Sequence, residues 1–122
     1  RPFHTIIPGF LTQAGQPLGP FGVMGGAMQP QGHLQVVVNL VDYRMNPQAA
    51  LDAPRWRFVA DNTVLLEQTV PQSVARGLGA QGHQVCVSPE GSTFGKGQII
   101  LRQGEVLIAA SEPRADGLAL AY

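Results

Sequence analysis

The chain has 122 residues, of which 44% are hydrophobic, so it has enough apolar residues to build a core. Its formal net charge is zero, which argues against a nucleic-acid partner, because binding to phosphates needs a basic surface that displaces counterions. The single cysteine, Cys86, excludes an internal disulfide and any zinc site built from several cysteines.

The low charge content bears on what covers the surface. Charged residues make up 13% of the chain, against roughly 25% in an average soluble domain. No apolar run approaches the roughly 20 residues needed to cross a bilayer, and the sequence does not open with a basic-then-apolar targeting signal, so we expect no membrane partner. We expect another subunit, or the rest of a longer protein, to cover part of the surface. The alternative is a polar surface rich in Gln, Gly and Ser.

The beginning of the chain predicts a β-hairpin. Residues 5–12 are typical of an extended segment, and residues 13–20 carry the Gly and Pro residues of a turn. Residues 21–24 then form the predicted return strand, which leads directly into Gly25 and Gly26.

A helix is predicted after the two glycines. Its apolar positions recur at the helical spacing i, i+3, i+4 and i+7, and they are Leu34, Val37, Val38 and Val41. Val36 and Leu40 widen this stripe, so we expect the helix to be buried on most sides.

A second, short helix is predicted at residues 46–51, with Asn46 as its N-cap and Pro47 at its first position. The remaining predicted elements are strands at residues 55–59 and 63–67, a helix at 71–78, a strand at 84–87, a loop at 88–97 and a hairpin of residues 98–102 and 106–110. This order predicts a layered α+β architecture in a single domain, residues 1–122.

Two candidate ligand sites are weak. Residues 91–97 are Gly-rich, but they have three residues between the first two glycines and no Ser or Thr after Lys96, so the phosphate-loop pattern fails. His83 and Cys86 are candidate metal ligands, with His4 or His33 as a third, but a lone buried cysteine is usually a packing residue. We therefore expect neither a metal nor an organic cofactor.

The residues also lack a self-contained catalytic set. No serine lies in a Gly-x-Ser-x-Gly setting or has a recognisable general base at a sensible spacing. Gly25 and Gly26 allow two interpretations. They form either an ordinary tight turn or a backbone whose N–H groups point at a developing oxyanion.

Five short motifs in a fixed order resemble the gamma-glutamyltranspeptidase family, most closely the branch with gamma-glutamyltransferase-like and cephalosporin-acylase-like proteins. They are residues 1–8 (RPFHTIIP), 25–26 (GG), 34–43 (LQVVVNLVDY), 52–55 (DAPR) and 111–117 (SEPRADG). The similarity is to the carboxy-terminal part of that family's small subunit.

The resemblance implies the N-terminal-nucleophile hydrolase fold, an αββα four-layer sandwich. It also implies a precursor that cleaves itself, so that the new N-terminal Thr of the small subunit is the nucleophile and its α-amino group the base. That Thr would lie upstream of Arg1, so we expect this chain to be a distal fragment of the catalytic domain and inactive alone. Its implied partners are the remainder of the small subunit and the large subunit of the same precursor.

The resemblance assigns Gly25 and Gly26 to the oxyanion hole, and His4 and Thr5 to the segment that binds the substrate. Typical transferases of the family carry adjacent serines in that segment, which hold the donor's α-carboxylate. Thr5 keeps a hydroxyl, but His4 differs from serine in size and chemistry, and Ala27 stands where a serine often follows the glycines. We therefore expect a small-molecule amide or peptide substrate, without strict γ-glutamyl specificity. The alternative is a non-catalytic binding or assembly module.

Overall fold

The structure is a computed structural model that describes residues 5–121. The elements within that range are β1 (Gly9–Gln13), β2 (Gln16–Met24), α1 (Gln29–Val41), α2 (Pro47–Asp52), β3 (Trp56–Ala60), β4 (Thr63–Glu67), α3 (Gln72–Ala80), β5 (Gln84–Ser88), β6 (Lys96–Gln103) and β7 (Val106–Ser111). Short 3₁₀ turns lie at Gly26–Met28 and Gly91–Phe94. The predicted α+β class is confirmed.

The strands form two sheets. The first sheet has the order β1-β2-β6-β7 and is antiparallel throughout, with Phe21 of β2 opposite Ile99 of β6. The second has the order β3-β4-β5, in which β4 and β5 are parallel. Parallel neighbours need a crossover connection, and α3 supplies it.

The core lies between one face of the first sheet and the helices α1 and α2. Its buried side chains are Phe21, Val23, Val36, Leu51, Ile99 and Ala110. Burying each large aliphatic or aromatic side chain stabilises the fold by roughly 1.5–3 kcal/mol. Helix α1 lies so close to β2 that a Cβ at Gly32 would come within 2.6 Å of Val23 Cγ1.

The prediction that α1 is buried on most sides is wrong. Val36 is buried, but Leu34 is 55% exposed and Val41 is 58% exposed. The helix packs on the first sheet through the face that carries Gly32 and Val36, which leaves part of the predicted apolar stripe outside the core.

The predicted turn at residues 13–20 is also wrong in extent. The turn consists of Ala14 and Gly15, and β2 begins at Gln16 with Pro17 and Pro20 inside the strand. Proline disrupts a ladder when its missing N–H is needed by a neighbouring strand. Here β6 pairs with β2 only from Phe21 to Met24, so the prolines lie where β2 has β1 as its ladder partner.

Of the remaining predictions described here, one is confirmed and two differ from the structure. The Asn46 side chain caps α2 by accepting a hydrogen bond of 2.8 Å from the N–H of Ala49, as predicted. The segment 88–97, predicted as a loop, contains a 3₁₀ turn and the first residues of β6. Cys86 is exposed rather than buried, because its side chain lies on the open face of β5.

The other face of the first sheet is apolar, and no described residue covers it. Phe10, Ile100 and Leu107 are exposed there and line a shallow groove together with Pro20. Each of these three side chains would normally be buried in a folded domain. Within residues 5–121, no helix combines the length and the apolar character needed to cross a membrane.

Candidate functional site

The Gly25–Gly26 turn connects the end of β2 to the first turn of helix. Gly25 has φ +150° and Gly26 has φ +59°, values that side-chain-bearing residues rarely adopt. The turn is closed by Met28, whose N–H donates to the carbonyl of Gly25 at 3.1 Å. Within the described residues, neither glycine N–H donates to an acceptor of the protein.

The two glycines differ in what surrounds them. A Cβ at Gly25 would lie 3.0 Å from the Cα of Gly95 and 3.3 Å from the Cβ of Met28, so packing as well as backbone conformation requires glycine there. A Cβ at Gly26 would meet nothing within 4 Å. Among residues 5–121, Gly26 therefore faces open space, and another molecule or segment can approach its backbone closely.

Gln29 holds the segment that contains Thr5 at the same end of the sheet. Its buried side-chain amide donates to the carbonyl of Thr5 at 2.8 Å and accepts from the N–H of Ile7 at 3.2 Å. Because Gln29 follows Gly26 by three residues, Thr5 is held near the glycine turn, with its own side chain exposed. His4 lies outside the described residues.

A groove of about 270 Å³ runs beside this turn. The extended segment from Ile6 to Pro8 forms one wall, while Met24 and Lys96 lie on the adjoining ends of β2 and β6. The groove is predominantly apolar, and Lys96 contributes a cation to it.

A buried ion-pair network joins two of the sequence motifs singled out above. Arg55 donates through Nη2 to Glu112 Oε2 at 2.8 Å, and both side chains are almost fully buried. Arg114 donates through Nη1 to the other oxygen of Glu112 at 2.7 Å and makes two bonds of 2.5 Å to Glu67. The backbone N–H groups of Arg55 and Gly97 donate to the carboxylates of Glu67 and Glu112, so each carboxylate has several donors.

The network has no net charge, and its pKa shifts follow from burial and pairing. Burial lowers the pKa of Arg55, and the Glu112 carboxylate offsets part of that effect. Burial also acts to lower the pKa of Arg114, but its hydrogen bonds and charge interactions with Glu67 and Glu112 outweigh it and raise the value. Both arginines remain charged, because a guanidinium group is not deprotonated in proteins.

Arg55 connects this network to the glycine turn. Its Nη1 donates to the carbonyls of Phe94 and Gly95, both at 3.1 Å. Gly95 is the residue against which Gly25 packs, and its own φ of +78° also favours glycine. The interior charges thus fix the backbone that supports the turn, a role that the sequence pattern alone did not predict.

Gln29 and the network were missed for different reasons. A glutamine in the first turn of a helix ordinarily indicates a solvated position, so Gln29 carries no distinguishing pattern. Arg55, Glu112 and Arg114 lie within motifs that carried the family resemblance, but no role followed from their spacing.

For the metal alternative, the described part of the chain contains no cluster of three or more His, Cys, Asp or Glu side chains arranged to hold an ion.

The chain is similar to known proteins along its whole length. The sequence profile of the Gamma-glutamyltranspeptidase family matches residues 1–122. The chain is 34% identical over 122 residues to the Acylase ACY 1 proenzyme of Pseudomonas sp. (strain V22), covering 99% of this chain and 21% of that protein. It spans about a fifth of the length of that relative.

Solved structures give the same relationship. The crystal structure of cephalosporin acylase from Bacillus halodurans is 52% identical with a TM-score of 0.94, over 98% of this chain and 23% of that one. Gamma-glutamyltranspeptidase from Pseudomonas nitroreducens complexed with L-DON is 25% identical with a TM-score of 0.85, over 100% of this chain and 64% of that one. The fold is that of the N-terminal-nucleophile hydrolases, as the resemblance predicted. This chain belongs to the gamma-glutamyltranspeptidase family.

Proposed function

We propose that this chain is the carboxy-terminal portion of an amidohydrolase or acyltransferase that acts through an acyl-enzyme on an N-terminal Thr. In this proposal a preceding segment of the same precursor supplies the Thr, and this chain supplies the oxyanion hole. The supporting observation is the Gly25–Gly26 turn, whose N–H groups have no protein acceptor in the described residues and whose second glycine faces open space.

The chemistry needs two contributions. The Thr hydroxyl, deprotonated by its own α-amino group, attacks the amide carbonyl and gives a tetrahedral intermediate with a negative oxygen. The glycine N–H groups would stabilise that oxygen, and the amine leaves with the proton that the α-amino group accepted. Water or an amine acceptor then attacks the acyl-enzyme and releases the Thr.

The substrate class that we propose is a small amide or peptide whose acyl group is not strictly γ-glutamyl. The proposal rests on His4 in place of a serine beside Thr5, and on the similarity to proteins named acylase and cephalosporin acylase. A carboxylate that is buried without charge-assisted hydrogen bonds is costly, so a donor without an α-carboxylate suits this segment better.

The partners that we propose are the remainder of the small subunit and the large subunit of the precursor. The Acylase ACY 1 relative named above is a proenzyme much longer than this chain. The open apolar face around Phe10, Ile100 and Leu107 is a surface that such a partner would bury. A non-catalytic assembly module would bury the same face, so activity has to separate the two functions.

The experiment compares two substitutions of Gly26 in the complete, processed protein. Gly26→Val places a β-branched residue at a φ that it rarely adopts, so it should displace the N–H groups. Gly26→Asn is the matched control, because asparagine tolerates the left-handed region. The readout is the acylation rate with chromogenic anilides that carry γ-glutamyl and other acyl groups.

We expect acylation to fall roughly a hundred- to a thousandfold in Gly26→Val, the loss that follows removal of one oxyanion donor, and much less in Gly26→Asn. Circular dichroism and subunit processing check that both variants fold. Near-normal acylation by Gly26→Val would show that the glycines form only a turn. Absence of amide turnover in the complete wild-type protein would favour the assembly module.

A further inference from the structure

The ring of His33 accepts a backbone hydrogen bond from β2. The N–H of Val23 donates to Nε2 of His33 at 2.9 Å, and the His33 ring lies against the ring of Phe21, with centroids 5.1 Å apart. The ladder between β1 and β2 extends along β2 only as far as Phe21, opposite Gly9. His33 therefore supplies the acceptor for a strand N–H beyond the end of that ladder.

This hydrogen bond fixes the protonation state of the ring. An imidazole nitrogen that accepts a hydrogen bond carries no proton, so His33 is neutral with its proton on Nδ1. Burial lowers the pKa of His33 below its ordinary value. Lys96 on β6 is the charged side chain in the described lining of the same groove, whereas the described lining from β2 and the segment 6–8 is uncharged.

His33 and Gln29 lie one helical turn apart on α1 and hold two different segments of the candidate site. Gln29 holds the Thr5 segment, and His33 holds Val23, which precedes Gly25 by two residues. The two contacts act on different parts of the proposed reaction. One positions the segment that binds the donor, and the other positions the oxyanion turn.

We propose that neutral His33 is a positioning residue for the Gly25–Gly26 oxyanion turn. The inference rests on the proposed function. Protonation of Nε2 turns the acceptor into a donor that faces the Val23 N–H, so the hydrogen bond breaks and the end of β2 is released. A displaced donor stabilises the transition state poorly, so kcat falls, while the Thr5 segment keeps its contacts and KM changes little.

The test uses the complete, processed enzyme and two variants of His33. His33→Gln places an amide oxygen near the position of Nε2, so it keeps an acceptor that does not titrate. His33→Leu removes the acceptor and leaves the Val23 N–H unpaired. We measure kcat and KM from about pH 5 to about pH 8, together with hydrogen–deuterium exchange of the peptide spanning residues 21–27, corrected for the intrinsic exchange rate.

In wild type we expect a protonation on the acid side that lowers kcat and that His33→Gln lacks. The exchange protection of residues 21–27 in wild type should be lost over the same pH range. His33→Leu should lower kcat about ten- to a hundredfold across the range, with KM nearly unchanged and protection low at every pH. If kcat falls equally at acid pH in wild type and His33→Gln, and residues 21–27 are equally protected from exchange, the proposal is overturned. This holds even if His33→Leu fails to fold.

The proposed function can be separated from this inference. If Gly26→Val lowers acylation but both His33 variants behave as wild type, His33 is not a positioning residue and the proposed function stands. If Gly26→Val leaves acylation unchanged, the oxyanion assignment fails, and the role of His33 in positioning that hole fails with it. Loss of protection at residues 21–27 upon acidification in wild type, but not in His33→Gln, supports the link from His33 to the turn without an activity assay.

Discussion

Arg55 and Glu112 form an ion pair of 2.8 Å in the interior, although 57 positions separate them in the sequence. The pair joins the connection between α2 and β3 to the segment after β7, and the same guanidinium holds the carbonyls of Phe94 and Gly95. Because Gly25 packs on Gly95, the backbone of the candidate oxyanion hole rests on this interior charge pair.

Replacing Glu112 by Gln should destabilise the protein by about 3–5 kcal/mol, because a buried arginine would lose its charge partner. The measurement is urea unfolding of the complete protein. Glu105→Gln is the control, since Glu105 is exposed and its contact with Arg102 spans 3.6 Å at the surface, so its unfolding midpoint should not move. Equal midpoints for the two variants would contradict the role assigned to Glu112.

Gln35→Leu should destabilise the protein by roughly 1–3 kcal/mol, the cost of leaving buried polar groups unpaired. The Gln35 amide accepts from the N–H of Trp56 at 3.0 Å and donates to its carbonyl at 2.9 Å, so it takes the place of a neighbouring strand along β3. Gln35→Glu keeps only the acceptor and should give an intermediate loss. Gln72→Leu, at an exposed position of α3, is the control, and a loss as large as that of Gln35→Leu would contradict the prediction.

The 122-residue polypeptide expressed alone should show no amidase or transferase activity. The resemblance places the nucleophile on a segment outside this sequence, and an oxyanion hole without it provides only residual catalysis. A chromogenic γ-glutamyl anilide and an anilide of another acyl group report turnover. A rate comparable to that of the complete enzyme would show that the nucleophile lies within these residues.

His4→Ser should shift the complete enzyme toward γ-glutamyl donors, because a second hydroxyl beside Thr5 can hold the donor's α-carboxylate. The measurement is the ratio of kcat/KM for a γ-glutamyl anilide to that for another acyl anilide. Gln13→Ser, at an exposed position at the end of β1, is a matched control that should leave the ratio unchanged. An unchanged ratio in His4→Ser would show that position 4 does not set donor preference.

The local patterns of the sequence predicted most elements correctly. The Asn46 cap and the two strands predicted at residues 55–59 and 63–67 depend on contacts between residues close in sequence, which a pattern can represent. The extent of β2 was not predictable in that way. Whether Pro17 and Pro20 are tolerated depends on where β6 ends beside them, which is a property of the assembled sheet.

The sequence by itself determined the α+β class and, through five ordered motifs, the family, because periodicity, capping residues and motif order are written along the chain. Only the tertiary structure showed which face of α1 is buried and what the polar residues of the motifs contact. Gln29, His33 and Gln35 all lie on α1, yet each pairs with the backbone of a different segment. Such pairings depend on which strands the fold brings beside the helix, and the spacing of residues along the helix does not contain that information.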